Sequence, residues 1–240
     1  MAIYDSYARR GRVGLGVRVK LSQARSIFEL ARMHIVTKIG AVLEIGPGDG
    51  YIADLVRLQG LEYVAVEGSD AVAAKMEAVG YRVFRGYVPP LPSDLGQSGY
   101  QCCFLLHVLE HMRSPQDAAN LVAEIYQLLT PGGALVIACP DYTRWGHYFY
   151  DCDYTHAYPV TRRRLLQLLT DHGFEVSCDT IYTGPLFGFL GLPLFWLAKL
   201  LYWPLLDDLI GPNRFKGILN RGFTTFLPNL LIVARRPVLT

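Results

Sequence analysis

Charge is scarce in this sequence. Acidic and basic residues together make up 18% of its 240 residues, against 51% hydrophobic, an apolar balance for a soluble protein that asks which segment carries the excess. A net charge of +2 gives no argument for a nucleic-acid surface, although Arg9, Arg10, Arg12, Arg18, Lys20 and Arg25 make the N-terminus locally basic, as a solvated face would be. Cysteine is present five times, an odd number without any C-x-x-C spacing, which excludes a disulfide framework and a structural zinc site. Reduced thiols in a cytoplasmic compartment fit that usage. The first thirty residues lack the sustained apolar stretch of a signal peptide, and no internal repeat or low-complexity tract occurs. The length allows a substantial core, so residues 1–240 are expected to form one domain with an elaboration rather than two equal domains.

Short apolar and β-branched runs are what the sequence does have. AVLEIG, EYVAVEG, YRVFRG, QCCFLLH and ALVIACP read as strands, separated by helix-like segments such as SDAVAAKMEAVG and SPQDAANLVAEIYQLLTPGG. Near-continuous apolar strands alternating with helices indicate a parallel sheet covered on both faces. Ser114 followed by Pro115 predicts a helix start and TPGG a stop. Before the first strand, Ile27, Leu30, Met33, Ile35 and Val36 recur at helical spacing with Ser22 as cap, so residues 1–40 read as a basic and helical extension. After TRRRLLQLLTDHG come two further strands, FEVSCDTIYT and NLLIVARR, separated by an insertion of about 45 residues over 183–227, far longer than neighbouring strands need.

Glu44-Ile45-Gly46-Pro47-Gly48-Asp49-Gly50 stands where the first strand turns into a helix, a place where glycine backbone can approach a ligand and helix-end amides can receive an anion. The third glycine of a dinucleotide fingerprint is missing, since position 51 is Tyr51. Glu67 ends the second strand, where a carboxylate can accept hydrogen bonds from both hydroxyls of a ribose.

With this order of strands, the chain resembles the class I S-adenosylmethionine-dependent methyltransferases, whose first motif reads acidic-x-G-x-G-x-G. The resemblance covers residues 40–182 and rests on LEIGPGDG, HVLEHM, LLTPGGALVIACP and THAYPVTRRRLLQLLTDHGFEV. It implies an α/β, Rossmann-like, doubly wound seven-stranded sheet with an antiparallel last strand. It further implies that Gly46, Gly48 and Gly50 line the methionine and ribose part of S-adenosylmethionine, that Glu44 orients the loop, and that Glu67 holds the ribose. Leu106 and His107 would approach the methionine moiety. The position after Gly86, an acidic adenine contact in many relatives, is Tyr87 here, and the aspartate common at the entry to the fourth strand is Gln101.

In HVLEH, His107, Glu110 and His111 have spacings of three and four, which one helical turn places on one face. Imidazole and carboxylate together suit manganese, iron, cobalt or zinc. The window is similar to the E-x-x-E-H element with which ubiquinone-biosynthesis O-methyltransferases and small-RNA 2′-O-methyltransferases hold a divalent metal, with His107 in place of the first glutamate. By that resemblance His107, Glu110, His111 and His156 would form one metal constellation, with Thr161-Arg162 placed as in the RNA group. The other reading needs no metal: His111 or His156 is a general base supported by Glu110 or Asp153. A third leaves the histidines structural. His34, His147 and His172 look ordinary, with His172 near a helix C-terminus.

The apolar excess lies in Pro185 to Leu206, PLFGFLGLPLFWLAKLLYWPLL, with Lys199 as its only charge. The length suits a transmembrane helix, but the strands on either side belong to one sheet, and Gly188, Gly191, Pro193 and Pro204 interrupt a straight helix. A lid, a homodimer contact or an interfacial membrane contact remain, the last served by Phe195, Trp196, Tyr202 and Trp203 with Lys199, Arg214, Lys216 and Arg221. The expectation is an enzyme that uses S-adenosylmethionine, with or without a divalent metal, to methylate an oxygen of a small, glycan-like or lipid-linked acceptor. Its place would be the cytoplasm, in one version at the inner face of the membrane. Two alternatives stand beside it: a metal-dependent RNA 2′-O-methyltransferase, disfavoured by charge, and a non-catalytic membrane-associated scaffold of the same fold.

Overall fold

The computed structural model describes residues 15–96, 99–201 and 223–238. Arg9, Arg10 and Arg12, and in the insertion Tyr202, Trp203, Pro204, Arg214, Lys216 and Arg221, lie outside the described residues.

Helix α1 (Leu15–His34) leads into β1 (Ala41–Ile45), α2 (Tyr51–Leu58), β2 (Glu62–Glu67), α3 (Asp70–Ala78) and β3 (Arg82–Arg85). Then follow β4 (Tyr100–Leu106), α4 (Pro115–Leu128), β5 (Leu129–Pro140), two single-turn helices α5 (Tyr142–Trp145) and α6 (Tyr148–Asp151), and α7 (Arg162–Asp171). Strand β6 (Glu175–Thr183), the two-residue β7 (Leu186–Phe187), α8 (Leu192–Leu201) and β8 (Asn229–Arg235) complete the described elements.

The sheet order is β3-β2-β1-β4-β5-β8-β6-β7. Strands β1 to β5 pair in parallel, and β8 runs antiparallel to both β5 and β6. The sequence expectation of seven strands with an antiparallel last one holds for this frame, and β7 adds a short antiparallel edge to β6. Strand order reverses between β1 and β4, and the crevice beyond their carboxyl ends is where open α/β sheets bind ligands.

Alternation along the strands separates two cores. Leu43, Val64, Cys103, Leu105, Leu135 and Ile137 face Leu121, Ile125, Leu165 and Leu169 of α4 and α7. Val42, Ala65, Phe104 and Val136 face Ala24, Ile27, Phe28, Ile52 and Val56 of α1 and α2. Strands clothed on both sides must be apolar at every position, which is why they read as unbroken runs.

Ser69, Ser114 and Thr161 each accept a hydrogen bond from a first-turn amide and so start α3, α4 and α7. Helix α1 differs from its expectation, because it already runs from Leu15, so Ser22 lies inside it rather than at its cap. Helix α4 stops at Leu128, and TPGG is absorbed into the irregular start of β5. Arg236 then closes the end of α4, its Nη1 donating to the carbonyls of Tyr126 at 2.9 Å and Leu129 at 2.7 Å, where a cation also meets the helix dipole. Gln101, the departure from aspartate, serves the backbone: its Oε1 accepts from the amides of Gly40 and Ala41, each at 2.8 Å.

Candidate active site

The loop from β1 to α2 makes its turns with Gly46, Gly48 and Gly50 at φ of 69°, 52° and 71°, a region other residues enter at a cost. At Gly46 a side chain is also excluded by contact, since a Cβ there would stand 2.6 Å from Cγ2 of Val108. Gly48 faces open space. Glu67, buried at the end of β2, accepts a hydrogen bond from the Ser69 amide at 2.7 Å. Burial pushes its pKa up, and amides of Ser69, Gly68 and Gly48 oppose that rise. The glycine loop and the second-strand carboxylate are thus one unit.

Two clefts meet over this loop and share Gly46, Gly48, Val72, Leu106 and His107. One, of about 720 Å³, runs past Glu67, Gly68, Tyr87 and Val108 to His111 and Thr155. The other, of about 710 Å³, lies between α1 and the loop and reaches Lys20, Glu44, Tyr51 and Tyr182. Either is large enough for a nucleoside-sized ligand. Tyr87 stands in the first cleft with its ring against Gly68, where any Cβ would come within 2.9 Å of it. The hydrogen bond that Glu44 makes is with Tyr63, whose hydroxyl donates to Oε2 at 2.6 Å. Burial raises the Glu44 pKa to about 8, with the charges of Glu67 and Asp54 adding to it and the Tyr63 bond opposing.

The histidine cluster begins at a strained residue. His107, directly after β4, has φ 57°, alone among described non-glycine residues in that region, and its amide donates to the Ala138 carbonyl at 2.7 Å. Its Nδ1 lies 3.1 Å from Glu110 Oε1 and its Nε2 lies 2.7 Å from the Tyr182 hydroxyl. Glu110 is fully buried; desolvation pushes its pKa up, but the His107 bond and the charges of His107, His111 and His156 outweigh it and lower the pKa. Burial lifts the Tyr182 phenol well above its ordinary value, so the phenol keeps its proton. An ionised Glu110 and a protonated Tyr182 leave one consistent arrangement for a neutral His107: Tyr182 donates to Nε2, and Nδ1–H donates to Glu110.

His111 Nδ1 is 2.8 Å from Thr155 Oγ1, whose hydroxyl donates to Asp153 Oδ1 at 2.7 Å. Thr155 therefore accepts from His111 Nδ1–H, and the lone pair of the neutral ring stays on Nε2. His156 is fixed likewise, donating from Nδ1 to the Phe149 carbonyl at 2.6 Å. The two rings lie 4.9 Å apart at 65°. Burial, ahead of any charge, lowers the His111 pKa, which makes the neutral form the resting one near pH 7.

Glu110, His111 and His156 each bring one possible ligand atom within 4.8 Å of the others, and Glu110 Oε2 is buried without a hydrogen-bond partner. Of the four residues grouped by sequence, three converge, and His107 stands behind them with both ring nitrogens engaged. Backbone bonds explain how distant motifs meet: the amides of Ala157 and Tyr158 both donate to the Glu110 carbonyl at 3.0 Å, tying THAY to HVLEH. Sequence reasoning missed Thr155 and Tyr182. Thr155 had a signal, its place beside His156, whereas nothing along FEVSCDTIYT marks Tyr182.

The described part of the insertion sits above this cluster. Phe195 of α8 packs with Trp145, Phe149, Phe223 and Leu227, and the Phe149 ring lies 4.7 Å from that of His156. No helix among the described residues is long and apolar enough to cross a membrane.

Known proteins resemble this chain in sequence and in fold. Residues 26–178 match the family model described as a methyltransferase domain. A protein of Mycolicibacterium smegmatis named as a probable S-adenosylmethionine-dependent methyltransferase is 29% identical over 143 residues, 58% of this chain and 53% of that protein. The match thus spans about half the length of that curated relative. Among solved structures, a SAM-dependent methyltransferase of Archaeoglobus fulgidus is 19% identical with a TM-score of 0.64, covering 97% of each chain. An S-adenosylmethionine-dependent methyltransferase of Mesorhizobium loti is 14% identical with a TM-score of 0.62, covering 90% of this chain and 98% of its own. At those identities the structures speak for the fold, and the family model, matching well over half of the chain, makes it a member of the class I S-adenosylmethionine-dependent methyltransferase family.

Proposed function

We propose that this protein transfers a methyl group from S-adenosylmethionine to an oxygen of a small, glycan-like or lipid-linked acceptor, with His111 as the general base. The observation that carries the reading is the continuous cleft from the Gly46–Gly50 loop and Glu67 to a neutral His111. The cradle fits the cofactor: Gly48 is open to the cleft, and Glu67 presents a carboxylate where ribose hydroxyls are received. Tyr87 offers an aromatic face instead of an acidic adenine contact.

When bound, the cofactor supplies a methyl group already activated on a sulfonium. The chain's own task is to orient the acceptor and take its proton. His111 Nε2 receives the hydroxyl proton as the oxygen forms its bond to carbon, and the resulting imidazolium is held by Thr155 and Asp153 at Nδ1 and faces the Glu110 carboxylate. His156, with Nδ1 fixed on a backbone carbonyl, turns its other nitrogen to the same space.

A second reading is favoured by the unpartnered Glu110 Oε2: with His111 and His156 it offers a carboxylate and two imidazoles to a divalent cation. There a cation would lower the pKa of an acceptor hydroxyl, and the same three residues would serve as ligands. Elemental analysis of protein purified without added metal, beside a Glu110→Gln variant, separates the readings: a stoichiometric metal lost in the variant selects the second.

The main test combines calorimetry with transfer of labelled methyl into a panel of glycosides and polyprenyl-linked sugars. His111→Ala is expected to keep its affinity for S-adenosylmethionine and to lose roughly 10²–10⁴ in kcat. Well-folded protein that binds neither S-adenosylmethionine nor its demethylated product would sink the proposal.

A further inference from the structure

We infer that the outer face of the insertion, formed by Phe189, Leu190, Trp196, Leu197 and Leu200, docks on an anionic lipid surface, so that the acceptor is one held in a bilayer. The acceptor half of this inference rests on the methyl-transfer reading above. The docking half stands on the face itself.

Phe189 and Leu190 are 77% and 78% exposed in the 3₁₀ turn before α8, and Trp196 and Leu200 are 61% and 82% exposed on that helix. Single exposed apolar residues are ordinary, but a group of this size on two consecutive elements marks a contact surface. The helix is held from behind by Phe195, buried in the aromatic cluster with Trp145 and Phe149, so its outward side chains are displayed on a fixed support.

Chemistry selects a lipid surface as the occupant. Residues 185–201 contain no acid, and their single charge, Lys199, has its ammonium 5.5 Å from the Trp196 ring and 5.7 Å from the Phe195 ring. A tryptophan capped by a lysine matches the depth of lipid headgroups, with the ring in the interface and the cation reaching outward. The ten described residues of α8 reach about 15 Å, half of a bilayer's apolar thickness, a length suited to lying in the surface. Charge is complementary as well, since the one charge carried by residues 185–201 is a cation. A second copy of the chain is the competing occupant, and light scattering in the test below tells it apart.

The geometry gives the contact a use. Phe195 and Phe149 share one cluster, and Phe149 touches His156, so the docked face and the histidines are separated by a single aromatic layer. A hydroxyl on a lipid headgroup enters the cleft beside that layer while its chains stay in the bilayer.

The test uses the full-length protein with vesicles of phosphatidylcholine alone and with 30% phosphatidylglycerol, read by co-sedimentation and tryptophan emission. The expected result is partition to the anionic vesicles at least tenfold stronger than to neutral ones, with a blue shift. Trp196→Ser/Leu200→Ser should cut that partition tenfold or more, while calorimetric binding of S-adenosylmethionine stays within twofold. Lys199→Glu should lower binding to anionic vesicles and leave weak binding to neutral ones unchanged. Absence of partition to either vesicle, equal partition by the double-serine variant, or a dimer in light scattering that this variant abolishes would each overturn the docking. If vesicles bind and S-adenosylmethionine does not, the methyl-transfer reading fails instead.

Discussion

Glu44 sets burial directly against charge. Folding raises its pKa from 4.5 to about 8, so the folded chain keeps a proton that the unfolded chain gives up above pH 4.5. The stability this group contributes is whole below pH 4.5 and is lost as pH rises through 8. Glu44→Gln, which keeps an acceptor for Tyr63, is expected to flatten the decline. Urea melts of the two proteins should diverge between pH 5 and pH 8.5 by on the order of 3–5 kcal/mol, the variant becoming the more stable. Tyr182 supports the site differently, through the one hydroxyl that donates to His107. Tyr182→Phe should leave S-adenosylmethionine affinity within twofold and lower kcat about tenfold, the worth of one hydrogen bond. Nitrogen-15 spectra of the imidazoles would then show His107 as a mixture of tautomers; a single unchanged tautomer would mean that Glu110 alone sets it. Gly46, Glu67, His111 and His156 could be picked out of the sequence because their motifs are local in the chain. Tyr182 could not, because what it faces depends on its pairing with Asn229, forty-seven positions on.

At the scale of elements, the loop from β1 to α2 joins backbone strain to tight packing. Gly46→Ala meets two penalties, a left-handed φ of 69° and a Cβ 2.6 Å from Val108. The expected loss is about 2–4 kcal/mol, with weaker cofactor binding. Adding Val108→Ala should recover the packing part and leave the backbone part, a split that chemical denaturation of the three variants would measure. Strands β1, β2, β4, β5 and β8 were legible because both faces of each are covered, so period and composition agree, whereas the more open β3 and β6 were legible from β-branched and aromatic composition. Two boundaries were not: α1 extends seven residues ahead of Ser22, where packing on α2 and the sheet overrides a local capping signal, and β7 is too short to leave any pattern.

For the whole molecule, ligand and fold are coupled because the two clefts are lined from both halves of the sheet. A hundredfold excess of S-adenosylmethionine over its Kd should add about 2.7 kcal/mol to stability. For a chain of this size the melting temperature should rise by about 5–10 °C. Differential scanning fluorimetry reads this directly, and a shift below 2 °C would speak against a specific site. The insertion shows why sequence takes the fold further than the function. Its apolar character is plain in the residues, whereas what meets its outer face depends on surroundings that the chain does not encode.

Strand β8 lies between β5 and β6, both of which precede it in the chain. As the polypeptide leaves the ribosome, the glycine loop, HVLEH and THAY are all available before residues 229–235 arrive. In the folded chain β5 and β6 are joined only through β8, and Tyr182, which reaches His107, pairs with Asn229 at its start. Completion of the candidate site thereby waits on residues 229–235, and the motifs that precede them in the chain cannot assemble it without that strand.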